Sequence, residues 1–233
     1  MRLTLRNREG HGNTFHPPRP LKGLIFDCDG VLLDTMESNQ VYYNMILEKL
    51  ELDPMTPEQL HYVHSHTARQ SVEHIVPRSM HHRIPEALAQ VSYMRDILPH
   101  LSAMDGLIPA LNWCQAAGLR MGVATNRSTT MDRVIQMFGL QRYFSPVMTA
   151  SKTRAKPNPD QLTHILRVWN VHPQEVAFVG DTVVDQLTAE RARVPFWSFR
   201  DESLLADAHI RDYCQFIARL SKVVHTPGGC RVR

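Results

Sequence analysis

The sequence predicts an α/β fold in which an open, doubly wound parallel sheet carries an all-helical insertion. Short apolar runs alternate with segments of helical periodicity, which is the pattern of strand–helix–strand units in a parallel sheet. This alternation is interrupted at residues 36–99, where successive helical patterns contain nothing that resembles a core strand. The two observations together predict a helical insert between the first strand and the rest of the sheet.

Four short, mostly apolar runs are predicted to be core strands, at residues 21–26, 120–125, 175–180 and 195–199. Strands of this composition are typical of parallel sheets, because helices cover both faces. Helical patterns separate the runs at 107–117, 130–138, 161–169 and 183–192. Gly118 and Gly139 follow the first two helices, and glycine commonly ends a helix.

The predicted domain organisation follows from these elements. Residues 21–35 and 100–221 form the sheet domain, and residues 36–99 form the insert, with helices expected at 37–50, 57–64, 68–75 and 85–98. Residues 1–20 contain Gly, His, Pro and Arg without periodicity, so we interpret them as a flexible N-terminal extension. Residues 222–233 are interpreted as a C-terminal tail.

Charge and composition exclude several classes of protein. The chain of 233 residues carries a net charge of +3, but residues 1–20 and residues 222–233 each contribute +3, which leaves −3 for residues 21–221. The folded body therefore has no excess of positive charge for nucleic acid. No apolar run approaches the roughly 18 residues of a membrane span. Binding to nucleic acid or to a membrane is not expected.

The cysteines and the N-terminus favour a cytoplasmic location. The four cysteines show no paired or metal-binding spacing, which is typical of free thiols in a reducing compartment. The first residues contain arginines but no apolar segment of a secretory signal. Nothing in the sequence specifies an oligomeric state.

Two acids follow the first predicted strand in the run Phe26-Asp27-Cys28-Asp29-Gly30. In an extended segment, residues two apart point in the same direction, so Asp27 and Asp29 would face one place. Paired carboxylates repel unless a cation or a proton intervenes, and magnesium prefers such oxygen ligands. A carboxylate can also attack phosphorus. The alternative interpretation is an acidic turn after a strand.

Three further motifs follow later strands or lie in loops on the same side. Asp181 follows a strand and Asp185 lies one helical turn further on, although both could also belong to an ordinary helix start. Thr125 ends the second strand and Asn126 follows it, where a hydroxyl and a backbone N–H suit phosphate oxygens, although ordinary turn chemistry is the alternative. Lys156 precedes a proline in a stiff loop and could neutralise phosphate or simply be solvated. Open α/β sheets bind ligands at the carboxyl ends of their strands, so these groups are expected to converge.

These motifs, in this order, resemble those of the haloacid dehalogenase (HAD) superfamily, and the similarity covers about residues 21–200. The resemblance is to capped relatives of the phosphoglycolate phosphatase and β-phosphoglucomutase type. It implies a Rossmann-like core with a helical cap inserted after the first strand, which agrees with the interpretation of residues 36–99. Arg193 is a departure, because many relatives have glycine there, and it concerns the end of a helix rather than the chemistry.

The resemblance implies a magnesium-dependent phosphatase that forms an aspartyl-phosphate intermediate on a small phosphorylated metabolite. Asp27 would be the nucleophile, and Asp29 would be the general acid and base. An aspartate at the second position favours phosphate esters, since relatives that cleave carbon–halogen or carbon–phosphorus bonds typically lack it.

The resemblance also assigns the remaining groups, with Mg²⁺ as the cofactor. It assigns Thr125, the Asn126 backbone and Lys156 to the substrate phosphate. It assigns Asp27, Asp29 (also through its backbone carbonyl) and Asp181 to the metal. Asp185 would be a supporting acid that binds the metal through water or holds Lys156.

Several alternatives stay open at this point. A phosphomutase of the β-phosphoglucomutase type would share the whole core, and a non-catalytic binding protein on the same scaffold is a different class. Phosphoglycolate, small sugar phosphates and nucleotides are all candidate substrates, with phosphoglycolate preferred as the commonest assignment among similar relatives. In the insert, we interpret His61 and His64 as solvated side chains, and Thr67 and Arg69 as surface residues of a helix start.

Overall fold

The computed structural model describes residues 21–222 and residue 224. The predicted N-terminal extension, residues 1–20, lies outside the described residues, as does the predicted C-terminal tail apart from residues 222 and 224. In chain order the strands and α-helices are β1 (Gly23–Phe26), β2 (Leu33–Asp34), α1 (Met36–Lys49), α2 (Pro57–Ser65), α3 (Ala68–Ile75), α4 (Ile84–Gln90), β3 (Ser102–Ala103), α5 (Leu107–Ala116), β4 (Arg120–Thr125), α6 (Met131–Met137), β5 (Val147–Thr149), α7 (Asp160–Trp169), β6 (Val176–Gly180), α8 (Val183–Ala192), β7 (Phe196–Phe199), β8 (Ala208–Ile210) and α9 (Tyr213–Leu220).

Six parallel strands form the main sheet in the order β5-β4-β1-β6-β7-β8. The chain fills one side of β1 first and then the other, so the strand order reverses beside β1. Apolar clusters pack on both faces of the sheet, with Leu24 and Phe26 in one cluster and Ile25 in the other. The predicted doubly wound parallel sheet with a helical insertion is confirmed.

The four predicted strands are present as β1, β4, β6 and β7. The edge strands β5 and β8 were not predicted, because three residues each are too few to show a pattern. Arg193 ends α8 with a φ of 58°, in the left-handed region where glycine is favoured, so this chain keeps the backbone turn that suits the glycine of many relatives.

The insert contains α1 to α4 and a separate apolar cluster that includes Tyr43, Ile46, Leu47, Val63, Val72 and Ile75. The single long helix expected at 85–98 is wrong. Helix α4 ends at Gln90, Val91 and Ser92 are extended, and a π-helical turn begins at Tyr93. The Ser92 hydroxyl accepts the N–H of Arg95, and the Asp96 carboxylate accepts the N–H of Ser92, so these polar side chains start a new turn.

The chain leaves and re-enters the sheet domain through two adjacent short strands. β2 and β3 pair antiparallel, with Leu33 opposite Ala103 and Asp34 opposite Ser102. This two-stranded connection holds the insert close to the carboxyl end of β1. The exact boundaries at 36–99 stay a prediction. In the described part of the chain, no helix has the length and apolarity needed to cross a membrane.

Candidate active site

Three adjacent strands bring the candidate residues to one edge of the sheet. Asp27 follows β1, Thr125 ends β4 and Asp181 follows β6. The register pairs Phe26 with Val123 on one side and with Val179 on the other, so the three strands end within two residues of one another. This edge is also where the strand order reverses, which is the usual ligand site in open α/β sheets.

Lys156 lies at the centre of the site and contacts two carboxylates. Its Nζ is 2.8 Å from Asp27 Oδ1 and 2.6 Å from Asp185 Oδ1, and all three side chains are buried. Asp185 is in turn held by Thr182, whose hydroxyl donates to Asp185 Oδ2 at 2.6 Å in the first turn of α8. The lysine is therefore fixed by an acid that the helix start itself positions.

Burial and neighbouring acids change the protonation of this cluster. Burial, together with the charges of Asp185 and Asp181, raises the pKa of Asp27 to about 8, although Lys156 acts in the opposite direction. A divalent cation at the cluster would favour the ionised carboxylate. Burial would lower the pKa of Lys156, but the Asp185 and Asp27 carboxylates outweigh it and raise that pKa. The two carboxylates therefore favour the charged form of Lys156, which in turn supplies them with a positive partner.

Three carboxylates form a cluster that suits a metal ion. Oxygens of Asp27, Asp181 and Asp185 all lie within 4.8 Å of one another. Asp181 Oδ1 is buried and has no hydrogen-bond partner among the described residues, so it is a carboxylate oxygen in need of a cation. Gly30 has a φ of 75°, and a Cβ there would overlap the Asp181 carboxylate, so the turn needs glycine. The donor set fits a hard divalent cation.

The Asp29 carboxylate does not join this cluster and is paired with Arg127, a residue that the sequence analysis did not single out. Arg127 Nε and Nη2 donate to the two Asp29 oxygens at 2.8 Å and 2.7 Å. Nη2 also contacts the hydroxyl of Tyr93 from the insert at 2.8 Å. Burial opposes ionisation, but Arg127 outweighs it and holds the pKa of Asp29 below its usual range.

Asn126 connects three parts of the chain through its side chain. Its amide group donates to the carbonyl of Lys156 at 3.1 Å and to the carbonyl of Ser65 at 3.2 Å, at the end of α2 in the insert. Its amide oxygen accepts the N–H of Lys156 at 2.8 Å. The Thr125 hydroxyl accepts the N–H of Arg127 at 3.1 Å. The predicted phosphate-binding residues are thus already ordered by one another.

His64 also reaches the site from α2, so the interpretation of this histidine as solvated is wrong. Its Nε2 lies 3.1 Å from Asp181 Oδ2, and its side chain is only 6% exposed. Burial would lower the pKa of His64, but the hydrogen bond to Asp181 outweighs it and raises that pKa. His61, one turn earlier, is exposed as expected.

Thr67 and Arg69 behave as surface residues of a helix start, as expected from the sequence. The Thr67 side chain caps α3 by accepting the N–H of Gln70. Arg69 is 86% exposed and pairs with Glu73 on the same helix at 2.9 Å. Neither residue lines the cavity above the strand ends.

A cavity of about 280 Å³ lies between the strand ends and the insert. Five predicted site residues line it, namely Asp27, Asp29, Thr125, Asn126 and Lys156. Asp181 and Asp185 are not part of the lining, but oxygens of theirs lie within 4.8 Å of the Asp27 carboxylate. The arrangement places the Asp27 carboxylate, a buried cation and a cluster of acids that could hold a metal ion at one small chamber.

Comparison with known proteins shows the family. The model of the haloacid dehalogenase-like hydrolases matches residues 24–199, and the chain belongs to this family. A phosphoglycolate phosphatase of Agrobacterium fabrum is 31% identical, over 76% of this chain and 80% of that protein. One from Nitrosospira multiformis is 27% identical, over 76% of this chain and 82% of that protein.

The crystal structure of a HAD-superfamily hydrolase, subfamily IA, variant 1, from Geobacter sulfurreducens is also similar. It superposes with a TM-score of 0.70 at 33% identity and covers 86% of this chain and 97% of its own. The similarity therefore extends through both the sheet domain and the insert. The resemblance found in the sequence motifs is confirmed.

Proposed function

We propose that the protein is a magnesium-dependent phosphatase that hydrolyses a small phosphate monoester through an aspartyl-phosphate on Asp27. The observation that carries this proposal is the Asp27 carboxylate, held by Lys156 beside the acids of the metal-binding cluster. The names of the curated relatives support phosphoglycolate as the first substrate to test.

Asp27 would attack the phosphorus atom while the bond from phosphorus to the ester oxygen breaks. Asp29, in its protonated form, would give a proton to the departing oxygen and would regain one from the water that cleaves the aspartyl-phosphate. That water releases inorganic phosphate and restores the Asp27 carboxylate. For this role Asp29 has to part from Arg127, which occupies both of its oxygens.

Thr125, the Asn126 backbone and Lys156 would hold the phosphoryl oxygens. Lys156 would make the strongest of these contacts, because its cation is buried and is not screened by water. Asn126 sets the Lys156 backbone through two hydrogen bonds, so the lysine needs little reorganisation when substrate arrives.

The metal would be held by Asp27, Asp181 and the backbone carbonyl of Asp29, with Asp185 as a supporting acid. When bound, Mg²⁺ would supply positive charge where negative charge develops on the phosphoryl group. The unpartnered Asp181 Oδ1 supports this assignment. Asp185 is engaged by Lys156 and Thr182, so its role here is to hold the lysine.

The proposed function is tested by a phosphate-release screen over a panel of metabolite esters with Mg²⁺ and, separately, with EDTA. We expect release from at least one small monoester, with a loss of activity in EDTA that added Mg²⁺ restores. Isomerisation of a sugar phosphate with little phosphate release would instead establish the phosphomutase. Absence of turnover across the panel would contradict the proposal and favour a binding protein.

Replacing His64 by alanine is expected to weaken Mg²⁺ binding by about 10-fold, because a residue that orients a metal ligand typically contributes this much. The His64 ring holds one oxygen of Asp181 and leaves the other free. Isothermal titration calorimetry with MgCl₂ measures the change. His61→Ala, on the exposed side of the same helix, is the matched control and should leave affinity unchanged. Equal affinities in all three proteins would show that His64 does not position Asp181.

A further inference from the structure

Arg127 is a buried cation that the proposed reaction does not use. It and Lys156 are the two lysine or arginine side chains among the described residues that line the cavity. Lys156 already faces Asp27 and Asp185, so its position is fixed at the reacting carboxylate. Arg127 follows Thr125 and Asn126 at the end of β4 and contacts the insert through Tyr93, which lines the same cavity.

The guanidinium group of Arg127 presently holds a carboxylate in the geometry that arginine prefers. Two of its nitrogens donate to the two Asp29 oxygens, and the Arg127 side chain is 7% exposed. While this pair is intact, neither Asp29 oxygen is free to reach an ester oxygen. If Asp29 turned away without a replacement, a buried guanidinium would lose its counter-ion, which is strongly unfavourable.

We propose that Arg127 binds a carboxylate of the substrate, which takes the place of Asp29 and frees Asp29 for the ester oxygen. This inference rests on the proposed phosphatase function and narrows its substrates to phosphate esters of small hydroxy acids. A second phosphate group on the substrate fits less well than a carboxylate, because it would place roughly two negative charges beside one guanidinium. The cavity of about 280 Å³ also limits the size of the acid.

The test compares pairs of esters that differ in one carboxylate. The pairs are 2-phosphoglycolate with 2-hydroxyethyl phosphate, and 3-phosphoglycerate with glycerol 1-phosphate. Of the two carboxylate-bearing esters, we take the one that the wild-type protein hydrolyses with the higher kcat/KM. We expect this value to exceed that of its neutral partner by at least about 100-fold, because a site built to bind a polar group rejects an analogue that lacks it. Equal values for both pairs, or preference for the neutral esters, would overturn the inference.

Two variants then assign the preference to Arg127. Arg127→Met should lower kcat/KM for the acid by at least about 100-fold, mainly through KM, and change the neutral ester by less than about 10-fold. Arg127→Lys keeps the positive charge but not the paired N–H donors of the guanidinium, so it should recover part of the kcat/KM that Arg127→Met loses on the acidic ester. If both esters lost activity equally, Arg127 would act only by positioning Asp29, which would overturn the inference.

Failure of the inference and failure of the proposed function give different results. If the wild-type protein hydrolyses neutral esters as well as acids, the phosphatase assignment holds and the role of Arg127 is wrong. If the wild-type protein hydrolyses no ester of either kind, the phosphatase assignment itself fails. The comparison between paired esters needs only the wild-type chain, so equal kcat/KM values would overturn the inference even if Arg127→Met does not fold, and Arg127→Lys is then the variant that assigns the residue.

Discussion

Asp27→Asn is expected to reduce phosphate release by at least about 10⁴-fold, because loss of a nucleophile removes the covalent route entirely. The asparagine oxygen can still accept from Lys156 and from the N–H of Cys28, which Asp27 Oδ1 accepts at 2.6 Å. We therefore expect the free energy of unfolding to change by no more than about 1 kcal/mol. Phosphate release with Mg²⁺ and urea denaturation measure the two quantities.

A direct readout of the intermediate completes this test. With a substrate labelled on phosphorus and an acid quench, the wild-type protein should retain label and Asp27→Asn should not. Asp105→Asn, at an exposed aspartate of the sheet domain, is the matched control and should keep full activity. Full activity in Asp27→Asn would show that another group attacks phosphorus.

Lys156→Met is expected to damage both stability and activity. The change leaves Asp27 and Asp185 buried without the cation that lies within 2.8 Å of each. Removal of one partner from a buried ion pair costs about 3–5 kcal/mol, and the same change should lower kcat by about 10²–10³-fold. Urea denaturation and steady-state phosphate release measure the two losses.

Magnesium offers a second readout for this variant. A divalent cation that binds only the folded protein should restore part of the lost stability, because it supplies positive charge to the same carboxylates. Lys152→Met, at an exposed lysine whose Nζ donates to the Val147 carbonyl, is the control and should change little. A Lys156→Met protein as stable as the control would show that the buried acids do not need the lysine.

Much of the fold was predictable because buried parallel strands leave a strong local signal. The apolar runs that became β1, β4, β6 and β7 are continuous, and the helices between them keep their period. The prediction that failed also has a local cause. The helix expected at 85–98 was interrupted by Ser92 and Asp96, whose side chains bond to nearby backbone and are hard to weigh against helix propensity.

The site was predictable where its residues follow strands, and unpredictable where the contact joins parts of the chain that are far apart in sequence. Asp27, Thr125 and Asp181 are adjacent to apolar runs, so sheet topology alone brings them together. Arg127 pairs with an acid 98 residues earlier in the chain, and no local pattern marks such a contact. The contact of His64 with Asp181 depends on how the insert packs on the sheet domain, which helix periodicity does not specify.

The end of α2 ties the insert to the chemical groups through two contacts, from His64 to Asp181 and from Ser65 to Asn126. If the insert also adopts an arrangement separated from the sheet domain, loss of either contact would shift the equilibrium toward it. Thermodynamic linkage then requires reciprocity: if docking changes the affinity for the metal, metal binding changes docking by the same factor. Opening of the cavity and affinity for the metal would then be coupled, and substitutions in α2 that do not contact the substrate could change both.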